Sequence, residues 1–426
     1  MIDNNKPGWA RNFFVVWTGQ AFSLVGSALV QFALVWWLTR ETGSATILAT
    51  STLVAMLPQI FLGPFAGTFI DRWNRKAVML VSDSLIAIAT LFLIYLFSKG
   101  QESVLAIYVI LLIRSTGGAF HYPAFQASTS LMVPKQHLAR IAGMNQTLNG
   151  VISVFAPPLG ALLIGIFPLH SVLLVDVFTA IIAVSLLAII PIPQPIRKNG
   201  ANGEIIKQNT YMQDLKQGWQ YMVGWPGLLS LALLAMFLNF LLSPSYSLLP
   251  LMVTNIYNGG VTQLGLLESL VGIGVILGGL LLSIWGGFKK KILTSLMGIV
   301  GMGVGIIIFG SLPGDQFYLA LGAGFLLGLM QVFANGPLSA IFQATIDPAM
   351  QGRVLSLIVA GATAMSPIGL LIAGPVADHM GLRTWYIVGG TISVIAALLA
   401  YLNPAILGIE ENHPEFVISE NPLSPE

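Results

Sequence analysis

Long apolar runs separated by short polar stretches make up most of the chain. A membrane-crossing helix needs about 20 mostly apolar residues. By that rule twelve spans are predicted, at 12–38, 46–70, 77–98, 103–125, 141–167, 170–191, 227–253, 262–285, 292–312, 316–342, 352–376 and 384–407. Polar residues inside these runs recur at helical spacing. Gln20, Ser23, Ser27 and Gln31 share one face of the first span. Asn145, Asn149, Ser153 and Pro157 do so in the fifth, Asn239, Ser243 and Tyr246 in the seventh, and Gly324, Gly328, Gln331 and Asn335 in the tenth. Amides facing lipid are costly, so each stripe faces a cavity or a neighbouring helix. Cavity lining is the expectation for spans 1 and 7. Close packing is equally open for spans 5 and 10, where glycine and proline intervene.

Composition turns this pattern into a class. Of 426 residues, 55% are hydrophobic and 8% charged, against about 25% charged in a soluble domain. Mean hydropathy is +0.83. The reading is an all-α polytopic membrane protein. The first run, Phe13 to Leu38, is too long for a signal-peptide core and is read as a retained span. The chain has no cysteine, which excludes disulfides, thiolate metal sites and thiol catalysis.

The connections are short except at 192–226, which divides the chain into halves of six spans, 1–191 and 227–407, followed by an acidic tail at 408–426. Within the linker, Thr210-x-x-Gln213 reads as a capping box. Met212, Leu215, Trp219 and Met222 come next at helical spacing, which predicts an interfacial helix. The amino terminus and the even-numbered connections carry 15 of the 19 Lys and Arg residues. The positive-inside rule then places both termini in the cytoplasm of a cell-membrane protein.

Charges inside spans need a reason, because each costs about 2.5–3.5 kcal/mol at the bilayer centre. Arg114 lies in span 4, and Asp83 lies at a depth in span 3 that suggests an Asp83–Arg114 pair. Arg114 either balances a carboxylate during proton exchange or acts as a fixed strut, and Asp83 can instead snorkel to the surface. Asp176 in span 6 and Glu268 in span 8 are isolated acids in apolar runs and hence candidate proton carriers. His121 is a protonatable alternative, more readily explained as a packed neutral residue. Trp36, Trp37, Trp225 and Trp385 sit at span ends, as interfacial anchors do. Trp17, Phe32, Phe120, Tyr122, Phe240 and Tyr246 are candidates for touching an apolar ligand. The substrate-cavity set is therefore Gln20, Ser27, Gln31, Phe32, Asn149, Asn239, Tyr246, Gln331 and Asn335. No metal constellation, nucleotide-binding loop or hydrolytic triad spacing is evident. The expectation is no enzyme, no metal, no cofactor and no nucleic-acid partner.

The halves repeat. Pro123 and Pro134 recur as Pro337 and Pro348, each pair leading to an arginine, Arg140 and Arg353. Repeated halves are a common construction in secondary transporters. Between spans 2 and 3 stands Gly67-x-x-x-Asp71-Arg72-x-Asn74-Arg75-Lys76. This resembles the signature of the major facilitator superfamily, with Asn74 in place of a glycine; an asparagine there tolerates a left-handed turn. Arg114 with Gly118 is similar to the family's helix 4 signature, and Pro157, Pro158 and Gly160 to the helix 5 element of its proton-coupled exporters. The resemblance implies two pseudo-symmetric six-helix bundles. It also implies that Gly67, Asp71, Arg72, Arg75 and Lys76 form a conformational latch: Asp71 would meet backbone N–H groups near 353–356, and the cations would hold carboxylates or anionic lipid headgroups. Gly19-Gln20, Thr42-Gly43-Ser44, Asp71-Arg72-Trp73 and Ser82-Asp83 resemble the drug:proton antiporter branch that contains macrolide-efflux and siderophore-export proteins. That resemblance implies proton-driven export of a small amphipathic compound by a monomer, with siderophore or lipid-like metabolite export, or uncoupled facilitation, as alternatives.

Overall fold

A computed structural model describes residues 8–194 and 211–411. Twelve helices are long and apolar enough to cross a membrane. Spans 1 to 6 are Trp9–Thr42, Ala45–Arg72, Arg75–Ser98, Val104–Met132, Leu138–Ile166 and Leu169–Ile189. Spans 7 to 12 are Pro226–Ser247, Val261–Trp285, Lys291–Ser311, Phe317–Thr345, Pro348–Met380 and Leu382–Leu402. No strand occurs among the described residues.

Local chemistry sets the ends. Ser44 and Ser103 cap spans 2 and 4 by accepting from the backbone N–H of Ile47 and Ala106 at 3.3 and 3.2 Å. Span 4 runs past its predicted end, through Pro123 to Met132, because membrane helices tolerate an internal proline. Span 12 stops earlier than predicted. Asn403, which precedes Pro404, is extended and caps a separate turn, Pro404–Leu407. Span 7 likewise ends at Ser247, and short turns Leu249–Leu251 and Met252–Ile256 fill the rest of the predicted run. At the hinge, Asn74 has φ −70° rather than a left-handed value. It serves as the N-cap of span 3, accepting from Ala77 N–H at 3.1 Å, so its role is capping and not the left-handed turn expected.

The linker helix Tyr211–Val223 forms; the capping residue Thr210 lies outside the described residues. Its buried face differs from the expected stripe. Gly218, Tyr221 and Met222 are buried while Trp219 is half exposed. Gly218 lies against Arg353 and Leu357 of span 11, and Gln217 accepts from Arg353 at 2.7 Å.

Two six-helix bundles result. In the first, span 1 packs on span 6, span 2 on span 4, and span 3 on spans 4 and 6. In the second, span 8 packs on span 10, span 9 on spans 10 and 12, and span 7 on span 11. Several tryptophans expected at the lipid boundary are core residues instead. Trp36, Trp225 and Trp385 are buried, and Trp385 donates to the Leu241 carbonyl at 3.2 Å.

The bundles meet along spans 2 and 11 and along spans 5 and 8. Both described chain ends lie at one end of the molecule, the terminus end. The contacts between halves concentrate toward the opposite, far end. A Cβ on Gly265 would stand 2.9 Å from Ala161 Cβ, and one on Gly374 would stand 2.8 Å from Thr46 Cα. Thr52 and Ser247 hydroxyls bond across the halves at 2.7 Å. Fewer such approaches between halves occur on the terminus side. Gly63, Gly143, Gly150 and Gly352 have no neighbour within 4 Å of an added Cβ.

Candidate functional site

A cavity of about 590 Å³ opens in the first half, lined by Gln20, Ser27, Gln31, Asp83, Arg114 and His121. The polar face of span 1 points into it, as its spacing predicted. Two charge clusters sit at different depths. Toward the far end, Arg114 Nη1 donates to Asp176 Oδ2 and to Thr90 Oγ1. Ser27 and Thr90 hydroxyls each donate to the same carboxylate at 2.9 Å. Asp176 is fully buried. Gly26 makes room for it, because a Cβ there would stand 3.1 Å from Asp176 Cα and 2.1 Å from Thr179 Oγ1. Asp176 is thus not isolated, as its apolar surroundings in sequence suggested. The guanidinium and the two hydroxyls together satisfy a charge that would otherwise be prohibitive.

The second cluster lies nearer the terminus end. Gln20 Nε2 donates to Asp83 Oδ2 at 3.1 Å, and His121 Nε2 stands 3.2 Å from Asp83 Oδ1. The expected Asp83–Arg114 pair does not form. His121 and Arg114 are two turns apart on span 4, about 10 Å along its axis, and each takes its own carboxylate. The longer span 4 also moves Arg114 closer to the far end than its predicted bounds implied.

A second cavity, about 690 Å³, lies in the other half against span 5. Glu268, Tyr246, Gln331, Asn335 and Ser153 line it. The Glu268 carboxylate has no ion-pair or hydrogen-bond partner among the described residues. A third cavity of about 380 Å³ adjoins the first and contains Trp17, Gln20, His121, Tyr122 and Asn149. Two of the expected cavity residues lie elsewhere. Phe32 is buried, its ring where a Cβ on Gly160 would come within 2.7 Å. Asn239 lines none of these cavities and turns back to the Ala235 carbonyl of its own helix at 2.9 Å. Pro157 and Pro158 form the seat for Gly265 of span 8, so the span 5 motif stands at the contact between halves.

Hinge residues divide. The surroundings of Gly67 and the side chains of Asp71 and Arg72 are outside the described residues. Arg75 Nη1 donates to the Ala127 carbonyl, and Lys76 Nζ to the Ala188 carbonyl, each at 2.7 Å. These cations bind backbone carbonyls at the ends of spans 4 and 6, where helix dipoles favour positive charge, in addition to any lipid contact.

Sequence reasoning passed over Asp378. This residue, near the end of span 11, reaches across to the other half and caps span 2. Its carboxylate accepts from Ala45 N–H at 2.7 Å, Thr46 N–H at 2.9 Å and Ser44 Oγ at 3.0 Å. An acid at a helix N-terminus is favourable twice over, through the orphan N–H groups and the dipole.

A twelve-helix pair of bundles with polar, charged cavities in both halves, one of them reaching span 5 across the contact, defines a membrane transporter. The chain belongs to the Major Facilitator Superfamily, whose model matches residues 16–366 and again 228–417. It is 33% identical over 391 residues to "Macrolide efflux protein A" of Streptococcus pyogenes, covering 92% of this chain and 95% of that protein. To the protein of the same name from Enterococcus faecalis it is 33% identical over 328 residues, covering 77% of this chain and all of that one. Among solved structures, the nucleoside transporter NupG (D323A mutant) superposes with TM-score 0.73 at 13% identity, covering 91% of this chain and 98% of that one. A bacterial homologue of the iron transporter ferroportin in an inward-facing state superposes with TM-score 0.70 at 16% identity, covering 95% and 99%. At these identities the structural likenesses speak for the fold alone.

Proposed function

We propose that this transporter exports amphipathic, macrolide-like drugs from the cytoplasm in exchange for protons. The similarity to macrolide efflux proteins over most of the chain supports the substrate class. The observation that carries the coupling is Glu268, a carboxylate without a partner on a cavity wall beside the contact between halves. Asp176 is fully engaged by Arg114, Thr90 and Ser27 and suits a structural or charge-balancing role. With both termini cytoplasmic, this arrangement of the halves is open inward and closed outward. A drug enters the cavities from the cytoplasm or the inner leaflet. After the halves rock, a proton arriving at Glu268 from outside favours release and return. The unit is a monomer in contact with membrane lipids.

Replacing Glu268 with Gln tests this in proteoliposomes. Uphill accumulation of erythromycin driven by a pH gradient is expected to fall at least tenfold, while energy-independent counterflow of the same drug persists. Gradient-driven accumulation at the wild-type rate would remove Glu268 from the coupling role.

A further inference from the structure

Deep in the first-half cavity, one carboxylate gathers two polar atoms that have nothing to bond. Asp83 is 4% exposed. Gln20, 2% exposed, gives its amide N–H to Asp83 and leaves its carbonyl oxygen Oε1 buried without a partner. His121 Nε2 is also buried without a hydrogen bond, although it stands 3.2 Å from Asp83 Oδ1. It is near enough for charge attraction and off the line for a bond. A buried orphan acceptor is destabilising, and a site that retains one beside an anion asks for a donor carrying positive charge. The walls suit an organic cation. Trp17 and Tyr122 line the adjoining space, and Tyr122 is exposed; aromatic faces attract ammonium groups.

We propose that Asp83 and Gln20 dock the protonated amine of an exported compound, with His121 as the competing cation. When His121 is protonated it neutralises Asp83 and the amine is excluded. When His121 gives its proton to cavity water, the amine takes its place, donating to Asp83 and to Gln20 Oε1. One positive charge replaces another, so the buried cluster stays balanced. The other ionisable groups facing this space are few. Arg114 on the same helix is committed to Asp176 of span 6, and the Tyr122 hydroxyl accepts from Gln126 Nε2 at 2.9 Å. Spans 1 and 5 contribute no ionisable side chain to the two cavities, their polar groups there being amides, hydroxyls and the Trp17 indole. This assignment rests on the drug-export reading for its substrate and adds the chemical feature selected.

Two probe pairs separate the two claims in binding measurements on the purified full-length protein. Erythromycin is compared with its uncharged N-oxide, and the cationic dye rhodamine 6G with its uncharged leuco form. At pH 8 the cation of each bound pair is expected to bind at least tenfold more tightly. Asp83→Asn brings that ratio to within twofold of one, and Gln20→Leu reduces it at least threefold. His121→Gln removes the weakening of cation binding between pH 8 and pH 6. If rhodamine 6G behaves so while erythromycin does not bind, the docking site stands and the macrolide reading falls. The docking site is overturned if the preference survives Asp83→Asn, if no cationic probe binds, or if sodium competes with the probes and choline does not.

Discussion

At the scale of single residues, Arg114 and Asp176 show what a buried ion pair demands. Removing one partner leaves an uncompensated charge, which costs about 3–5 kcal/mol. Arg114→Met is therefore expected to lower thermal stability in detergent sharply, and adding Asp176→Leu to recover much of the loss. Arg353→Met, which loses a bond to Gln217 of the linker helix, should cost about 1 kcal/mol. Equal melting temperatures for the two arginine variants would contradict the buried-pair account. The sequence showed that Arg114, Asp83, Asp176 and Glu268 lay inside spans, because charges in apolar runs stand out. It did not show which acid met which base. That depends on helix rotation and on depth to within one turn, and an error of seven residues at the end of span 4 was enough to misassign the partner. Phe32 and Asn239 were misplaced for the same reason, since spacing identifies residues on one face but not what that face meets.

Helices and their termini carry the conformational argument. Asp378 holds the first turn of span 2 from the opposite half, so it stabilises the arrangement closed at the far end. The residue is exposed, and screening limits the contribution to about 1 kcal/mol, or roughly fivefold in a conformational equilibrium. The natural absence of cysteine gives a silent background for labelling. With a single cysteine at Gln31, Asp378→Ala should raise the rate of modification by an impermeant maleimide from the far side about fivefold, and an unchanged rate would count against the clamp. Gly374→Leu acts on the same contact sterically, because no side chain fits against Thr46; it should favour the far-end-open form and depress transport at least tenfold. Asp378 escaped notice in the sequence because an acid in the last turn of a span looks like an ordinary interfacial residue. Its partner is a helix start more than 300 positions away, and backbone N–H groups leave no trace in side-chain patterns. The hinge after span 2 was conspicuous for the opposite reason, being dense in charge, yet Arg75 and Lys76 reach helix-end carbonyls within their own half.

For the molecule as a whole, twelve spans were legible from run length, since a membrane tolerates little else, and their division into two bundles from the one long connection and the repeated halves. The direction of exchange and the driving ion were not, because they reside in which cavity groups change protonation as the halves rock. The central claim is that protons cross opposite to the drug. It is tested most directly in inside-out vesicles with an acidic lumen and a trapped pH-sensitive dye. Adding erythromycin to vesicles containing the wild-type protein should raise lumenal pH within seconds as drug enters and protons leave, and vesicles containing Glu268→Gln should show no such rise. Drug accumulation by the wild type with no change in lumenal pH would contradict the account.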